Sequence, residues 1–573
     1  MPVSNNEIAT LFELLANLLE IEDANPFRVR AYRNAARTIR SSTRSMSSLI
    51  EAGQDLSELP NIGKDLAARI STIVATGKLP LLEQVEARVP PTLNDLLQIE
   101  GLGPKRVKAL YRQLNVRNIE DLKRALRNGR IQQLEGFGRK TEASIRQALE
   151  RFPLKTSRFK LIEAEAIALP LLHYLQQCRD VGDIVIAGSY RRCQETVGDL
   201  DILITATSNS PIMDHFVRYD EVREVLAKGK TRATVVLNSA MQVDLRIVPR
   251  ISYGAALHYF TGSKAHNIAI RKIGVSQGCK INEYGIFRNS KRLAGKTEAE
   301  LYARIGLPFI PPELRENRGE IAAASLDRLP NLITLQDIRG DLHCHTNASD
   351  GHSTLEAMAA TAAEKGYQYL SINDHSKRLT IAHGLDKKRL LAQIRAIDRL
   401  NEKLDGIVIL KSSEVDIMED GSLDLPDDIL KELDFTVCAV HYKFSLPSDK
   451  QTQRIIRAMD NPFFNILAHP SGRLINERQA YPLDLEAVLL AARERRCIVE
   501  LNAHPDRLDL NDEACKLAKD LGVRIAISTD AHSTADLEFM RFGINQARRG
   551  WLEARDVINC LPLKDLKQVF KRS

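Results

Sequence analysis

Asp199 and Asp201 flank Leu200 in the run DIVIAGSYRRCQETVGDLDILITA, and Asp244 stands alone among hydrophobic residues in MQVDLRIV. If both stretches are strands, alternation turns Asp199 and Asp201 to one face. Three carboxylates brought together on neighbouring strands repel one another unless cations hold them. Two Mg²⁺ ions at such a site can stabilise both the attacking and the leaving oxygen of a phosphoryl transfer. Ahead of the acids, Gly188 permits close backbone approach, Ser189 offers a hydroxyl, and Arg191 and Arg192 offer guanidinium forks for a triphosphate. A surface Asp-x-Asp at a strand end is common by itself. The glycine-serine turn, the paired acids and the isolated strand acid together point to a two-metal phosphoryl-transfer site.

A second set of ligand-type residues lies beyond residue 338. His343 and His345 leave one apolar segment with like orientation, and Asp350 follows in the adjoining loop. His375, Glu414, His441 and His469 close later apolar segments, and Asp530 with His532 closes the last. These six imidazoles and three carboxylates suffice for a cluster of up to three ions, and the ligand types admit Zn²⁺, Mn²⁺ or Fe²⁺. Any one of them alone reads as a capping histidine or a surface acid. His352 and His504 read as structural.

The elements that must position these groups follow from apolar periodicity. Residues 183–187, 200–206 and 241–248 read as strands, with a short helix after the Gly-Ser turn. From residue 340, GDLHCH, YLSINDHS, GIVILKSSEVDI, FTVCAVH, FNILAHP, CIVELNA and RIAISTDAH alternate with helical stretches. That alternation predicts a seven-stranded distorted α/β barrel, whose active-site face is formed by the C-terminal strand ends. The first 150 residues repeat one unit: LPNIGKDLAARI, IEGLGPKRVKAL and LEGFGRKTEASI. Each has a turn, then Gly63, Gly103 or Gly138, then a helix beginning with basic residues such as Lys105. A helix N-terminus behind a glycine presents free N–H groups to a phosphate. The strings resemble helix-hairpin-helix motifs, which grip the nucleic-acid backbone without reading bases. In the first copy Asn61 takes the place of the leading glycine.

The 573 residues exceed one hydrophobic core, and 44% hydrophobic with 27% charged residues excludes a largely disordered chain. No apolar run spans a bilayer and the start carries no signal-peptide pattern. The eight cysteines form no C-x-x-C pair, as in a reduced, cytoplasmic protein. Residues 1–337 carry 48 Lys+Arg against 38 Asp+Glu, which suits a polyanionic partner. Nine of the 13 histidines follow residue 338. The Pro- and charge-rich stretch from Leu307 to Asp337 reads as linker-like. The expected order is two helical domains (1–82 and 83–152), a mixed-sheet domain (153–250), a further domain (251–318), a linker (319–337) and the His-rich α/β part (338–573), which the resemblances given next imply to be a 5′-phosphate-binding domain, helix-hairpin-helix fingers, a nucleotidyltransferase palm, a thumb and, after the linker, a metallo-phosphoesterase.

GSYRRCQETVGDLDILI, QVDLR, YFTGSKAHN and INEY resemble family X DNA polymerases, of which DNA polymerase beta is the familiar member, over about residues 1–318. The resemblance implies that Asp199, Asp201 and Asp244 hold two metal ions, and that Asp244 helps activate a primer hydroxyl. It implies that Gly188, Ser189 and Arg192 bind a dNTP triphosphate, and that Tyr259, Phe260 and Gly262 line the nucleotide pocket. Asn267 would reach the incoming base, Arg271 the template, and Arg246 the carboxylates of an open site. Lys264 stands where the beta enzyme has an acid. In the family's small lyase domain the nucleophile is a lysine, but the matching position here is Arg69. A guanidinium stays protonated, so 5′-phosphate binding with little lyase activity is expected, although Lys64 and Lys78 lie near.

DLHCHTNASDG, NDHS, SSEVD, AVH, AHPSGR and STDAH resemble the polymerase-and-histidinol-phosphatase (PHP) domain, whose members hydrolyse phosphoesters at metal centres. That resemblance implies Mn²⁺ as activator and makes His383 and Arg473 candidate contacts to the scissile phosphate. Fusion to a polymerase implies DNA as substrate: a 3′→5′ exonuclease, with 3′-phosphatase or abasic-site cleavage as related chemistry. The expected protein is a monomeric, nucleoid-associated repair polymerase acting on gapped or primer–template DNA. Two rival readings are a template-independent nucleotidyltransferase and a small-molecule phosphatase acting on a histidinol-phosphate-like ester.

Overall fold

The structure, a computed structural model, describes residues 3–571 apart from 4, 41, 43, 98, 100, 135, 139–140, 144, 147–148, 150–157 and 208–209. It divides into two compact units, Met1–Ser157 and Arg158–Ser573.

The first unit is helical. Its core gathers Ile8, Phe12, Leu15, Tyr32, Ile70 and Leu110, with Phe12 edge-on to Tyr32 at 5.4 Å. Helix α1 (Lys64–Thr76) starts at Gly63 and helix α2 (Pro104–Leu114) at Gly103, each glycine extended as the N-cap. The residue two places earlier is left-handed in all three repeats: Asn61 at φ 63°, Gly101 at 85° and Gly136 at 82°. Asparagine tolerates that region better than most residues, so its presence in the first copy does not change the turn. Part of the third copy lies outside the described residues; Gly138 and its first backbone bonds, from Thr141 and Glu142, lie within them.

The second unit begins with a five-stranded mixed sheet. Strands β1 (Ile184–Ile186), β2 (Asp199–Thr205), β3 (Val222–Lys228), β4 (Arg232–Leu237) and β5 (Gln242–Val248) lie in the order β1-β2-β5-β4-β3. Only β2 and β5 run parallel, with Asp201 opposite Asp244. Ile202, Ile204, Val243 and Leu245 face a core shared with Leu171 and Leu175 of the helix Leu161–Gln176. The helices Tyr253–Thr261 and Lys264–Ser276 follow, then an antiparallel sheet over 280–294.

The stretch read as a linker is folded. Ile310 and Leu314 are buried, Arg315 is enclosed between Tyr302 and Phe309 at 5.3 Å from each ring, and Ile333 joins the core of the C-terminal part. His266 Nδ1 lies 2.6 Å from the buried Glu320 carboxylate. Proline and charge therefore mark ordered turns and buried ion pairs here.

The C-terminal strands are parallel wherever they pair. β6 (Gly340–Asp341), β7 (Tyr369–Ile372) and β8 (Val408–Lys411) form one sheet; β9 (Glu414–Asp416), β10 (Val437–Ala439), β11 (Ile466–Leu467), β12 (Ile498–Asn502) and β13 (Ile525–Ser528) form another. The segment expected as one strand, GIVILKSSEVDI, breaks at Ser412-Ser413 and contributes to both sheets. Isolated parallel bridges His375↔Glu414 and Cys344↔Ala531 link the edges. Parallel pairing aligns the C-terminal ends of all these strands at one rim, which is where the histidines and acids emerge.

Candidate functional site

The palm brings its three aspartates onto two neighbouring strands. Gly188, at φ 59°, sits so close to Asp201 that a Cβ there would lie 2.6 Å from its Oδ2. Only glycine lets the turn approach the carboxylate in this way. Burial, then the charges of Asp199 and Asp244, raise the Asp201 pKa to about 7. A carboxyl so disfavoured as an anion fits a site meant to hold divalent cations. Asp244 is buried and takes hydrogen bonds from Thr234 Oγ1 at 2.5 Å, Arg232 at 3.1 Å and Gln242 Nε2 at 3.1 Å. These fix its orientation.

The arginines expected at a triphosphate are held by acids of the thumb. Arg191 forms a forked pair with Glu298, at 2.9 and 2.7 Å, and reaches Thr261. Arg192 Nε donates to Glu316 at 2.9 Å and Nη1 to the Thr261 carbonyl at 2.8 Å. Ser189, half-buried, follows Gly188 in the same short helix, Gly188–Arg191. Arg246, expected to pair with the aspartates, lies over the Phe260 ring at 4.4 Å, and its Nε is buried without a hydrogen bond. Asn267 donates from Nδ2 to the carbonyls of Tyr259, at 2.7 Å, and Gly262, at 3.0 Å. It thus clamps the YFTG turn, while its buried Oδ1 has no partner. Arg271 and Lys264 are exposed on the helix Lys264–Ser276.

In the C-terminal part every expected ligand converges. Glu414 is the hub, with one oxygen 2.9 Å from His469 Nε2 and 3.1 Å from His441 Nε2, and the other 2.9 Å from His375 Nδ1 and 3.4 Å from His343 Nε2. Asp350 lies 3.3 Å from His375 Nε2, 3.5 Å from His532 Nε2 and 3.7 Å from His345 Nδ1. Asp530 lies 3.2 Å from His345 Nε2. Three overlapping groups could each hold a metal ion: His345, Asp350, His375 and His532; His343, His345 and Asp530; His375, Glu414 and His441. His343 Nε2 and His345 Nε2 face each other at 3.1 Å inside the protein. On its other side the buried His345 Nδ1 has no hydrogen bond and lies 3.7 Å from Asp350, which fits a cation in the His345, Asp350, His375 and His532 group.

The electrostatics agree. Burial opposes protonation of His375 and His532, but the Glu414 and Asp350 charges at the first, and Asp350 and Asp530 at the second, win and push them to about 10 and 9. His345, buried among other imidazoles, falls to about 4. Two of the expected ligands adopt left-handed backbone, His469 at φ 26° and Asp530 at φ 55°. Each such non-glycine residue costs roughly 1–3 kcal/mol and is typical of functional sites.

Several supporting groups were not among the candidate ligands. β12 is the one segment without an expected ligand at its end, yet its Glu500 lies 2.8 Å from His343 Nδ1 and accepts from the His469 backbone N–H at 2.8 Å. Asp416 holds His441 Nδ1 at 2.8 Å. A lone acid within an apolar strand, the signal that marks Asp244, was equally present at Glu500. Arg507 Nε lies 3.4 Å from Asp530. Of the two candidate phosphate contacts, Arg473 is instead paired with Glu195 of the palm, at 2.6 and 3.2 Å. His383 is exposed at the end of a turn, at φ 53°. His504 packs edge-on to Phe539 at 5.0 Å.

Segments of the chain match family models described as helix-hairpin-helix domain (residues 3–79), SAM-like helix-hairpin-helix tandem (93–151), DNA polymerase beta palm (161–244), DNA polymerase beta thumb (256–316) and PHP domain (341–504). The DNA polymerase/3′-5′ exonuclease PolX of Bacillus subtilis (strain 168) is 38% identical over 571 residues, covering 99% of both chains. A probable phosphatase of Thermoanaerobacter sp. (strain X514) is 37% identical over 210 residues, 34% of this chain and 80% of that one. A probable phosphatase of Caldicellulosiruptor bescii is 33% identical over 208 residues, with 34% and 81% covered. With palm, thumb, helix-hairpin-helix and PHP segments in one order and a full-length relative at this identity, the chain belongs to the PolX family, the family X DNA polymerases that carry a PHP domain.

Proposed function

We propose that this chain is a DNA-directed DNA polymerase of repair that fills gaps and trims 3′ ends with its PHP part as a metal-dependent 3′→5′ exonuclease. The carrying observation is the presence in one chain of two separate ligand clusters: the parallel-strand aspartates with Gly188 against Asp201, and the Glu414-centred imidazoles. The relative's double name, polymerase and 3′-5′ exonuclease, supports assigning one activity to each.

Cations at the two clusters, Mg²⁺ in the palm and Mn²⁺ or Zn²⁺ in the PHP part, would neutralise phosphate oxygens and make the attacking oxygen more acidic. The chain's own residues do the positioning. Gly188, Ser189 and Arg192 receive the triphosphate, for which Arg192 must exchange Glu316 for phosphate. The YFTG turn clamped by Asn267 forms the floor on which the nucleotide rests. Asp199, Asp201 and Asp244 collect charge around the primer hydroxyl. In the first unit, the exposed Gly63 and Gly103 and the exposed Lys105 offer helix N-termini to a DNA backbone, including a 5′-phosphate, and the exposed Gly138 repeats the same glycine. No described helix is long and apolar enough to cross a membrane, and we place the protein in the cytoplasm as a monomer beside the chromosome.

A second activity at the PHP site, hydrolysis of a 3′-phosphate, is favoured by the phosphatase names of the partial relatives. The deciding experiment incubates a gapped primer–template with Mn²⁺, with and without dNTPs, for wild type, Asp244→Ala and His343→Ala. Synthesis should vanish only in the first variant and degradation only in the second. Template-blind extension would restore the nucleotidyltransferase reading.

A further inference from the structure

Beside the PHP cluster, two loops that carry ligands also build an aromatic hollow. Phe444 follows His441 by three residues and Gly472 follows His469 by three, and the two loops meet in this hollow. The hollow measures about 270 Å³ and is lined by Phe444, Ser445, Gly472, Arg478, Tyr481 and Pro482. Phe444 and Tyr481 are nearly parallel, 12° apart with centroids 5.9 Å apart. The Arg478 guanidinium lies over Phe444 at 4.4 Å, steadied by its Nε–H donating to the Gly472 carbonyl at 2.9 Å. Tyr481 is anchored to the ligand turn itself: its hydroxyl donates to the Pro470 carbonyl at 2.5 Å, next to His469. Gly472, at φ 59°, makes room for that ring, since a Cβ would stand 2.5 Å from it.

We infer that this hollow receives the 3′-terminal nucleobase of the strand whose phosphodiester is cut at the Glu414 cluster. The inference rests on the exonuclease reading above and adds the subsite that reading lacks. An aromatic ring capped by a guanidinium stacks any base, because every base has a π-face. An exonuclease that removes nucleotides in sequence needs that tolerance. The volume is just under the roughly 300–1,000 Å³ of sites for whole drug-sized ligands, so it suits one ring system with sugar and phosphate left at the cluster. A second guanidinium, Arg507, stands at the cluster's edge beside Asp530 and continues the cationic lining toward the phosphate.

The test compares two single-stranded oligonucleotides, identical but for a 3′-terminal nucleotide with its base or with a base-less tetrahydrofuran residue. Mn²⁺-dependent release of the terminal residue is followed with the full-length protein. Wild type should favour the base-bearing end by about tenfold in kcat/KM, the order expected for one stacked base. Phe444→Ala and Arg478→Ala should lose that preference through KM while cleaving the base-less end as wild type does, and Phe444→Tyr should keep it. Cleavage of the base-less end also reports intact folding, and Arg478→Ala, a substitution near the surface, stands in should Phe444→Ala fail to fold. Equal rates on both ends in wild type, or an undiminished preference in the variants that fold, overturn the subsite alone. No degradation of either strand by wild type overturns the exonuclease reading and the subsite with it.

Discussion

Arg192 of the palm and Arg549 of the PHP part meet on one carboxylate: Glu316 accepts from Arg192 Nε at 2.9 Å and from Arg549 Nη1 at 3.0 Å. Arg549 also donates to the Arg192 carbonyl at 2.8 Å and to Asp512 at 2.5 Å, and its side chain is 2% exposed. The guanidinium assigned to the triphosphate is therefore occupied by an acid that the PHP part holds in place. Glu316→Gln should weaken that competition and lower the dNTP KM about fivefold, the equivalent of roughly 1 kcal/mol for a charge-assisted bond. Steady-state incorporation on a gapped substrate reads it; an unchanged or raised KM would show that Glu316 positions Arg192 for nucleotide.

The same cluster sets an acid limit on the fold. Burial tends to raise the carboxyls of Glu316 and Asp512, but Arg549, with Arg192 at the first and Arg318 at the second, holds both below their ordinary values. Depressed carboxyls contribute stability that is present above their unfolded values, about pH 4, and is lost as pH falls toward the folded ones. Arg549→Ala should cost about 3–5 kcal/mol near neutral pH by leaving buried charges unpaired. Its deficit relative to wild type should shrink below about pH 4 as the acids become neutral. Thermal melts across pH check both; a deficit independent of pH would assign the loss to packing.

Much of this was legible in the residues. Asp199, Asp201 and Asp244 declare themselves because a charge inside an apolar strand has to have a purpose, and the PHP ligands because parallel strands end in register. The pairing of Arg473 with Glu195 is invisible in the sequence, since Glu195 comes from a distant segment that a local motif cannot show. Glu500 carries the same lone-acid signal as Asp244, but no second acid stands beside it in sequence, and its partners His343 and His469 come from other strands. The stretch from Leu307 to Asp337 looked like a linker by composition, yet Ile310, Leu314 and Ile333 are buried by neighbours that only the tertiary fold supplies.

Glu500→Gln should weaken cation binding at the PHP cluster by about 10- to 100-fold, the usual effect of removing a carboxylate behind a ligating histidine. His343 would keep at best a neutral acceptor in place of the carboxylate that orients its ring and raises its basicity. Polymerisation should be untouched. Titration of chelator-treated protein with Mn²⁺ measures the affinity, and an unchanged value would reduce Glu500 to a packing role.

Cation binding there should also release protons. His375 and His532 are pushed to about 10 and 9 by neighbouring carboxylates, so near pH 7.5 both are protonated before an ion enters, and ligation requires the neutral imidazole. Apparent affinity should rise with pH, up to about tenfold per unit for each proton displaced. By linkage, these raised values stabilise the chelator-treated fold fully below about pH 6.5, and that stability fades as pH climbs through 9 to 10. Calorimetry in buffers of different ionisation enthalpy counts the protons; zero release would contradict ligation by these two residues.

Gly103 separates a folding role from a binding role. Its φ of −84° is open to any residue, and a Cβ there meets nothing within 4 Å, so the protein's own packing does not demand glycine. A hydroxyl at this N-cap would accept from the first free N–H groups of α2, making Gly103→Ser neutral to slightly stabilising, within about 0.5 kcal/mol. The added atoms would nevertheless occupy the space a phosphate needs in order to reach those N–H groups. Gly103→Ser should therefore melt as wild type does yet bind duplex DNA at least about fivefold more weakly, losing roughly 1 kcal/mol of backbone contact. Fluorescence anisotropy at fixed salt, beside a thermal melt, distinguishes the cases. Unchanged affinity would remove the second repeat from the DNA interface, whereas a lowered melting temperature would mean that the glycine serves the fold.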